Sequence, residues 1–314
     1  MRGIPGRSRR LAALAIFVLL AVLAGAVWIG YTGWESTAVI MPAWGWLMMS
    51  LGIFFTVVVG GGLMALVFFS SRTGFDEATE LQIEYDPKDM TIGIIGAGHI
   101  GDTLTRRFSA LGHTVFVANS RGPETLTSLA NETGTTPVSV REAARSGEVV
   151  IVTIPENKVP SLPRDLFAGV PARVVVVDTG NYYPQQRDGR IDAIEDGLPE
   201  SRWVEQQLGR PVIKAFNNIY AQRLLEGGKP AGAPGRIGLP VAGDDKAAKA
   251  IILELVDQLG FDGVDAGGLG ESWRQQPGTP VYATDLDAKG VRRALSEASP
   301  ERKSEWRAKV IRAG

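Results

Sequence analysis

The chain has 314 residues, a formal net charge of −1, no cysteine and only two histidines. That length accommodates two modest domains and a further segment. The lack of cysteine excludes disulfides, thiolate zinc, iron–sulfur clusters and a thiol nucleophile, and with no block of like charge no nucleic-acid partner is expected. His99 and His113 lie beside a glycine turn or the helix that follows it, so a zinc hydrolase or a Ser-His-Asp enzyme lacks its histidines and no metal site is expected. Chemistry that asks little of protein acid–base groups fits better, and hydride transfer between two bound cofactors is such chemistry.

In chain order, residues 1–72 read as a two-helix transmembrane hairpin. Residues 11–34 and 36–71 carry no charge, and each exceeds the roughly 20 residues needed to cross a bilayer. Trp28 and Trp34 close the first stretch and Trp44 and Trp46 open the second, as interface residues do. Arg2, Arg7, Arg9 and Arg10 precede the first stretch, Glu35 separates the two and Arg72 follows. The positive-inside rule then puts both ends in the cytoplasm. The expected localisation is a multi-pass cell-membrane protein, with the lipid bilayer as partner and the following domain cytoplasmic. A cleaved signal is the competing account, on Ser8-Arg9-Arg10-Leu11 and Ala24-Gly25-Ala26; it leaves the later domain on the same side. Neither stretch holds a histidine, a cysteine or an interior charge, so the hairpin reads as an anchor. Residues 73–89 read as an acidic, polar linker.

Residues 90–210 read as a Rossmann-type domain, a doubly wound parallel sheet of the α/β class. An apolar run at 91–95 passes into Gly96-Ala97-Gly98-His99-Ile100-Gly101. A helical pattern follows, with Ile100, Leu104, Phe108 and Leu111 on one face, and then a second apolar run at 114–118. Strand, glycine turn, helix and strand in that order make a dinucleotide-binding unit. Gly96 permits the turn, Gly98 lets backbone approach a pyrophosphate, Gly101 lets helix and strand pack, and the helix N-terminus receives the charge. The second strand ends in Asn119-Ser120-Arg121 instead of an acid. A guanidinium and a hydroxyl there suit a 2′-phosphate, so the expected cofactor is NADP(H).

Further strands are expected at 137–140, 149–154 and 173–178. Three tips gather at the carboxyl edge, where such sheets bind ligands: Thr153-Ile154-Pro155, Thr179 to Pro184 with Asn181 between them, and Lys214-Ala215-Phe216-Asn217-Asn218. Residues 211–314 read as a smaller mixed α/β C-terminal lobe. Strands are expected at 211–216 and 237–241, then a helix from Asp244 or Asp245 to Leu259-Gly260, and a short strand into the 264–272 segment. A last helix is expected over 300–311. It either lies against anionic lipid or buries Trp306 and presents a solvated basic face.

Gly96 to Gly101, Ser120-Arg121, Thr153-Ile154-Pro155, Lys214-Ala215-Phe216-Asn217, Ala242-Gly243-Asp244-Asp245 and Asp265-Ala266-Gly267 together resemble the NADPH-dependent deazaflavin (coenzyme F-420) reductases. They are also similar to the reductase domain of the six-transmembrane epithelial antigen metalloreductases. The likeness spans about residues 90–274 and departs from those metalloreductases in its histidine-free hairpin, which stands before the domain and not after it. The resemblance implies NADPH passing hydride to a stacked acceptor, FAD, FMN or a deazaflavin. It implies that Ser120 and Arg121 hold the 2′-phosphate, that Thr153 and Pro155 line the nicotinamide ribose, and that Asn217 borders the acceptor. Thr153 and Asn217 would act by positioning only. Two alternatives stay open: a reductase of a small carbonyl or imine substrate, and a non-catalytic NADPH sensor at the membrane. A homo-oligomer is left open as well.

Overall fold

A computed structural model describes residues 28, 42, 44, 45, 47, 48, 50–52, 54, 55 and 89–309. The expected transmembrane hairpin, apart from those scattered positions, and nearly all of the linker lie outside the described residues. Residues 28, 44, 45, 47, 48, 50–52, 54 and 55 are helical, and among the described residues no helix is long and apolar enough to cross a membrane. Contacts divide the chain into two units, Met1–Gln82 and Ile83–Gly314.

The second unit is built on a six-stranded parallel sheet. Its strands are β1 (Thr91–Ile95), β2 (Thr114–Ala118), β3 (Thr136–Pro137), β4 (Val149–Val152), β5 (Val175–Asp178) and β6 (Ile213–Lys214). The order is β3-β2-β1-β4-β5-β6, the doubly wound arrangement with its switch point between β1 and β4. β4 and β5 are Val-Val-Ile-Val and Val-Val-Val-Asp, every residue buried. Such β-branched runs tolerate burial on both faces, which parallel pairing demands. Register sets the site. Ile95 pairs with Ala118 and Val152, Val152 with Asp178, and Asp178 with Lys214. Gly96, Asn119, Thr153, Thr179 and Ala215 therefore step off the sheet along one edge.

Helix α1 (His99–Ala110) buries Leu104 and Phe108 against the sheet, and Ile100 packs on the same cluster. Leu111, expected on that face, caps the helix and is exposed. On the sheet's other face α3 (Val140–Ser146), which follows the short α2 (Thr127–Thr133), crosses β1 so closely that a side chain at Gly93 would collide with the Ala143 carbonyl. The third strand stops earlier than expected because Ser139 and Glu142 form a capping box that starts α3 at Val140. Behind β5 and β6 lie α4 (Asp192–Glu195) and α5 (Glu200–Leu208).

The sheet runs past residue 210, since β6 is its sixth strand. After α6 (Ala221–Glu226) a second, two-stranded parallel sheet pairs β7 (Gly238–Val241) with β8 (Asp262–Asp265), joined by α7 (Lys246–Gln258). Asp245 caps α7 by accepting from the Ala247 and Ala248 N–H groups. An antiparallel bridge between Lys214 and Ala242 links the two sheets.

The helix expected over 300–311 is not there. The chain instead forms α8 (Ala288–Glu297), capped by Asp287 and burying Val291, Ala294 and Leu295. Among the described residues beyond Pro300 only Ser304–Trp306 makes a 3-10 turn, and Trp306 is half-buried. A single apolar anchor does not give residues 300–309 a face to bury, so ion pairs hold them instead: Arg302 to Glu200 (2.7 Å) and Arg307 to Glu195 (3.4 Å).

The Gly93 contact gives a direct expectation. Gly93→Ala must push α3 off β1, and urea unfolding is expected to show a loss of about 1–3 kcal/mol.

Candidate nucleotide and acceptor site

The three glycines of the turn differ in what surrounds them. Gly96 has φ +112°, and a side chain there would collide with the Thr153 carbonyl oxygen. At Gly101 a side chain would meet the Gly96 carbonyl oxygen and, at 2.8 Å, the Thr153 methyl. Gly98 is the N-cap of α1 and no side chain caps that end; a Cβ on Gly98 would meet nothing within 4 Å. Two glycines thus serve the fold, and the third leaves open space before an uncapped helix N-terminus. That is where an anion is held by backbone N–H groups. Asp102, the acid of the first turn, is paired with Arg106 at 2.9 Å, which blunts its repulsion. A hollow of about 430 Å³ beside the turn is lined by Ala97, Gly98, His99, Asp102, Ala221 and Gln222. His99 is exposed; Ala97 and Ile100 pack on the core.

At the β2 tip Asn119 accepts from the Arg121 N–H (2.9 Å) and donates to Thr125 Oγ1 (2.8 Å). Its side chain shapes the turn, leaving Ser120 and Arg121 exposed. The Arg121 guanidinium has no hydrogen bond or ion pair among the described residues. It is free to grip a phosphate.

The other expected residues are mostly engaged with the protein. Thr153 lies half-buried under the glycine turn, with Ile154 packed on Gly96 and Pro155 starting the 3-10 turn Glu156–Ser161. The Thr179 hydroxyl turns back into the sheet onto the Val152 carbonyl (3.3 Å). Asn181 donates to the Asn217 carbonyl (2.9 Å) and accepts from Asn217 Nδ2 (3.1 Å). Asn217 Nδ2 also donates to the Gln275 carbonyl (2.7 Å), and Asn217 Oδ1 accepts from Gln275 Nε2 (2.9 Å). Asn217 therefore knits the β5 tip, the β6 tip and the 3-10 turn Leu269–Gln275 together. Both of its amide N–H groups are spent inside the protein, and Oδ1 keeps one lone pair.

Sequence reasoning missed the charges beneath these tips. Lys214 is fully buried and donates to Asp178 Oδ2 (3.0 Å) and the Gly180 carbonyl (2.6 Å), and Ser201 donates to the same Asp178 oxygen (2.7 Å). Burial alone would lower the Lys214 ammonium, but Asp178, Glu156 and Glu200 around it raise it. Burial lifts the Glu200 carboxyl, with Arg302 and Lys214 opposing. Next along the chain, Phe216 is buried with φ +60°, a strained conformation for a bulky residue that clusters at functional sites. A lysine inside the apolar run 212–216 was the readable signal, because a buried ammonium demands a buried acid.

Above the tips the Tyr183 and Tyr282 hydroxyls bond to each other, and Trp306 packs on both rings at 6.0 and 6.1 Å. Burial, then the Tyr183 bond, pushes the Tyr282 phenol well above the usual range. Among the described residues no group of His, Cys, Asp or Glu is arranged to hold a metal ion.

Residues 91–182 match the model of a family described as NADP oxidoreductase, coenzyme F420-dependent. The matched span runs from β1 through the β5 tip and contains the glycine turn, the Arg121 tip and Thr153. That span is under a third of the chain, and over it the chain is similar to NADP-dependent oxidoreductases. A protein of Escherichia coli (strain K12) named YjhV is 44% identical over 101 residues; the match covers 32% of this chain and 64% of that protein's length. The crystal structure of the hypothetical protein SMa0349 from Sinorhizobium meliloti is similar at 32% identity and a TM-score of 0.54, covering 63% of this chain and 95% of that one. An imine reductase variant from Myxococcus stipitatus V8 in complex with NAD+ aligns at 17% identity and a TM-score of 0.43, over 57% of this chain and 55% of that one.

The glycine environments separate fold from ligand. Gly98→Val is expected to unfold at nearly the wild-type temperature yet lose NADPH binding. Gly101→Val is expected to lose the fold itself, which circular dichroism and nucleotide titration together distinguish.

Proposed function

We propose that this chain is a membrane-anchored oxidoreductase that takes hydride from NADPH and delivers it to a flavin or deazaflavin-type acceptor. The observation that carries the nucleotide half is the unpartnered Arg121 guanidinium at the β2 tip, on the same sheet edge as the uncapped N-terminus of α1. Bound NADPH supplies the hydride. The chain's residues do the holding: α1 N–H groups take the pyrophosphate across Gly98, and Ser120 and Arg121 take the 2′-phosphate. Thr153, Pro155 and Asn181 edge the nicotinamide half, and Asn217 fixes the tips around it. The half-buried rings of Tyr183, Tyr282 and Trp306 support a flat aromatic acceptor, since such rings stack. The deazaflavin in the family's description points the same way.

Anchoring rests on the uncharged stretches 11–34 and 36–71, and the helical, exposed Trp44, Leu47, Met48, Phe54 and Phe55 support it. The nucleotide-binding unit then faces the cytoplasm by the positive-inside rule. The protein is expected to stay in the membrane pellet after an alkaline wash and to leave it only in detergent. Release by the wash would remove the anchor.

A second reading, reduction of a small carbonyl or imine, draws on the Tyr183–Tyr282 pair, whose hydroxyls could donate a hydrogen bond to the oxygen or nitrogen of such a substrate. Stopped-flow oxidation of NADPH separates the readings. Turnover with flavin or deazaflavin alone supports the first, turnover with carbonyls or imines alone the second, and binding without turnover for any acceptor leaves a sensor. In each case Arg121→Ala is expected to weaken NADPH about ten- to a hundredfold, the loss of a charge-assisted bond, with NADH affinity unchanged. Equal losses for both nucleotides would reject the 2′-phosphate assignment.

A further inference from the structure

Just past the β4 tip, Glu156 is fully buried and neither of its carboxylate oxygens has a hydrogen-bond partner. A Cβ on Gly180 would sit 2.5 Å from Glu156 Oε1 and 2.9 Å from Asp178 Oδ1, so the two carboxyls converge on the bare backbone of the β5 tip. Every surrounding element presents charge to Glu156. β5 presents Asp178 and β6 presents Lys214. The turn Pro184–Asp188 presents Asp188, paired with Arg187, and α5 presents Glu200, paired with Arg302. On its own turn Lys158 is exposed. Of these four buried acids Asp188 and Glu200 have arginine partners, and the one buried ammonium already serves Asp178 and the Gly180 carbonyl, which leaves Glu156 without a bonded cation. Burial first and Asp178 second hold the Glu156 carboxyl well above the ordinary glutamate value, with Lys214 opposing. Packing of this kind accepts a neutral carboxyl and resists a charged one.

The geometry points to Glu156 as a positioning residue: neutral, it lets the β5 tip close against the β4 tip, and ionised, it drives Gly180 and Asp178 away. Asn181 follows Gly180 directly and is tied to Asn217, so that displacement moves the residues placed around the nicotinamide. The inference rests on that functional reading. It makes the nicotinamide half of the site fail as pH rises while the phosphate half, built on α1 and Arg121, does not. The linkage has one sign. An acid raised in the folded state binds its proton more tightly there than in the unfolded chain. Stability therefore falls as pH rises from the ordinary glutamate value up through the raised one.

The test titrates the full-length protein, its Glu156→Gln variant and the apolar Glu156→Met variant with NADPH and with adenosine 2′,5′-bisphosphate, which lacks the nicotinamide half. Titrations run from about pH 6 to about pH 9, below general lysine and tyrosine titration. Wild-type affinity for NADPH, relative to the bisphosphate, is expected to fall by up to about tenfold per pH unit once Glu156 ionises. Both variants are expected to hold that ratio constant, and their melting temperatures to lose the wild-type decline with pH. The inference is overturned by a flat wild-type ratio, or by a variant that folds and keeps the wild-type decline in that ratio, whatever its melting temperature does. Failure of either nucleotide to bind at any pH would instead remove the functional reading, and the inference with it.

Discussion

Between Gly101 and the Gly96 carbonyl there is no room for one more carbon atom, and the Thr153 methyl closes the same space from the β4 side. Three segments meet there: the end of β1, the first turn of α1 and the tip of β4. Their approach fixes the angle at which α1 leaves the sheet, and so fixes where its free N–H groups point. The same approach places Leu104 and Phe108 over the sheet in the core they share with Ile252 and Leu255 of α7. A side chain at this point would disturb the anion site and that core together.

The opposite half of the edge is organised by charge. Lys214 and Asp178 are desolvated together, and such a pair stabilises only when its remaining hydrogen-bonding capacity is met. The Gly180 carbonyl and the Ser201 hydroxyl meet it. The arrangement holds the β5 and β6 tips at fixed spacing, and the strained Phe216 follows at once. Strain of this kind costs about 1–3 kcal/mol and persists only where surroundings over-determine it. Here the Asn181–Asn217–Gln275 ladder on one side and the ion pair on the other provide that determination.

Local pattern was legible and distant pairing was not. The unit from β1 to β2 could be read because apolar periodicity, glycine spacing and strand composition all act within some thirty residues. The exposure of Arg121 was legible because it lies in a short turn at the end of a strand. Asp178 and Lys214 are 36 positions apart, and Asn217 and Gln275 are 58 apart; nothing local says that they meet. The hydrogen bonds that hold Asn217 to Asn181 and Gln275 were for that reason out of reach of the sequence. The terminal helix was misplaced for a related reason. Trp306 and the basic residues around it suggested an amphipathic face, but Trp306 packs on Tyr183 and Tyr282 from a single 3-10 turn. The true helix carried the plainer signals, Asp287 as cap and Val291, Ala294 and Leu295 as its buried stripe.

The Lys214–Ala242 bridge has a consequence for how copies of this chain can meet. An exposed sheet edge invites another strand, and a protein held at high local concentration on a surface would feel that hazard most. On the β6 side the Lys214 N–H and carbonyl are both taken by Ala242, at 2.8 and 3.0 Å. On the β3 side the strand is only Thr136–Pro137, and Val138 donates inward to Val117 at 2.9 Å. By alternation position 137 faces outward, and proline has no N–H to offer there. The main sheet is closed to extension at both ends, so any self-association of this unit must use other surfaces.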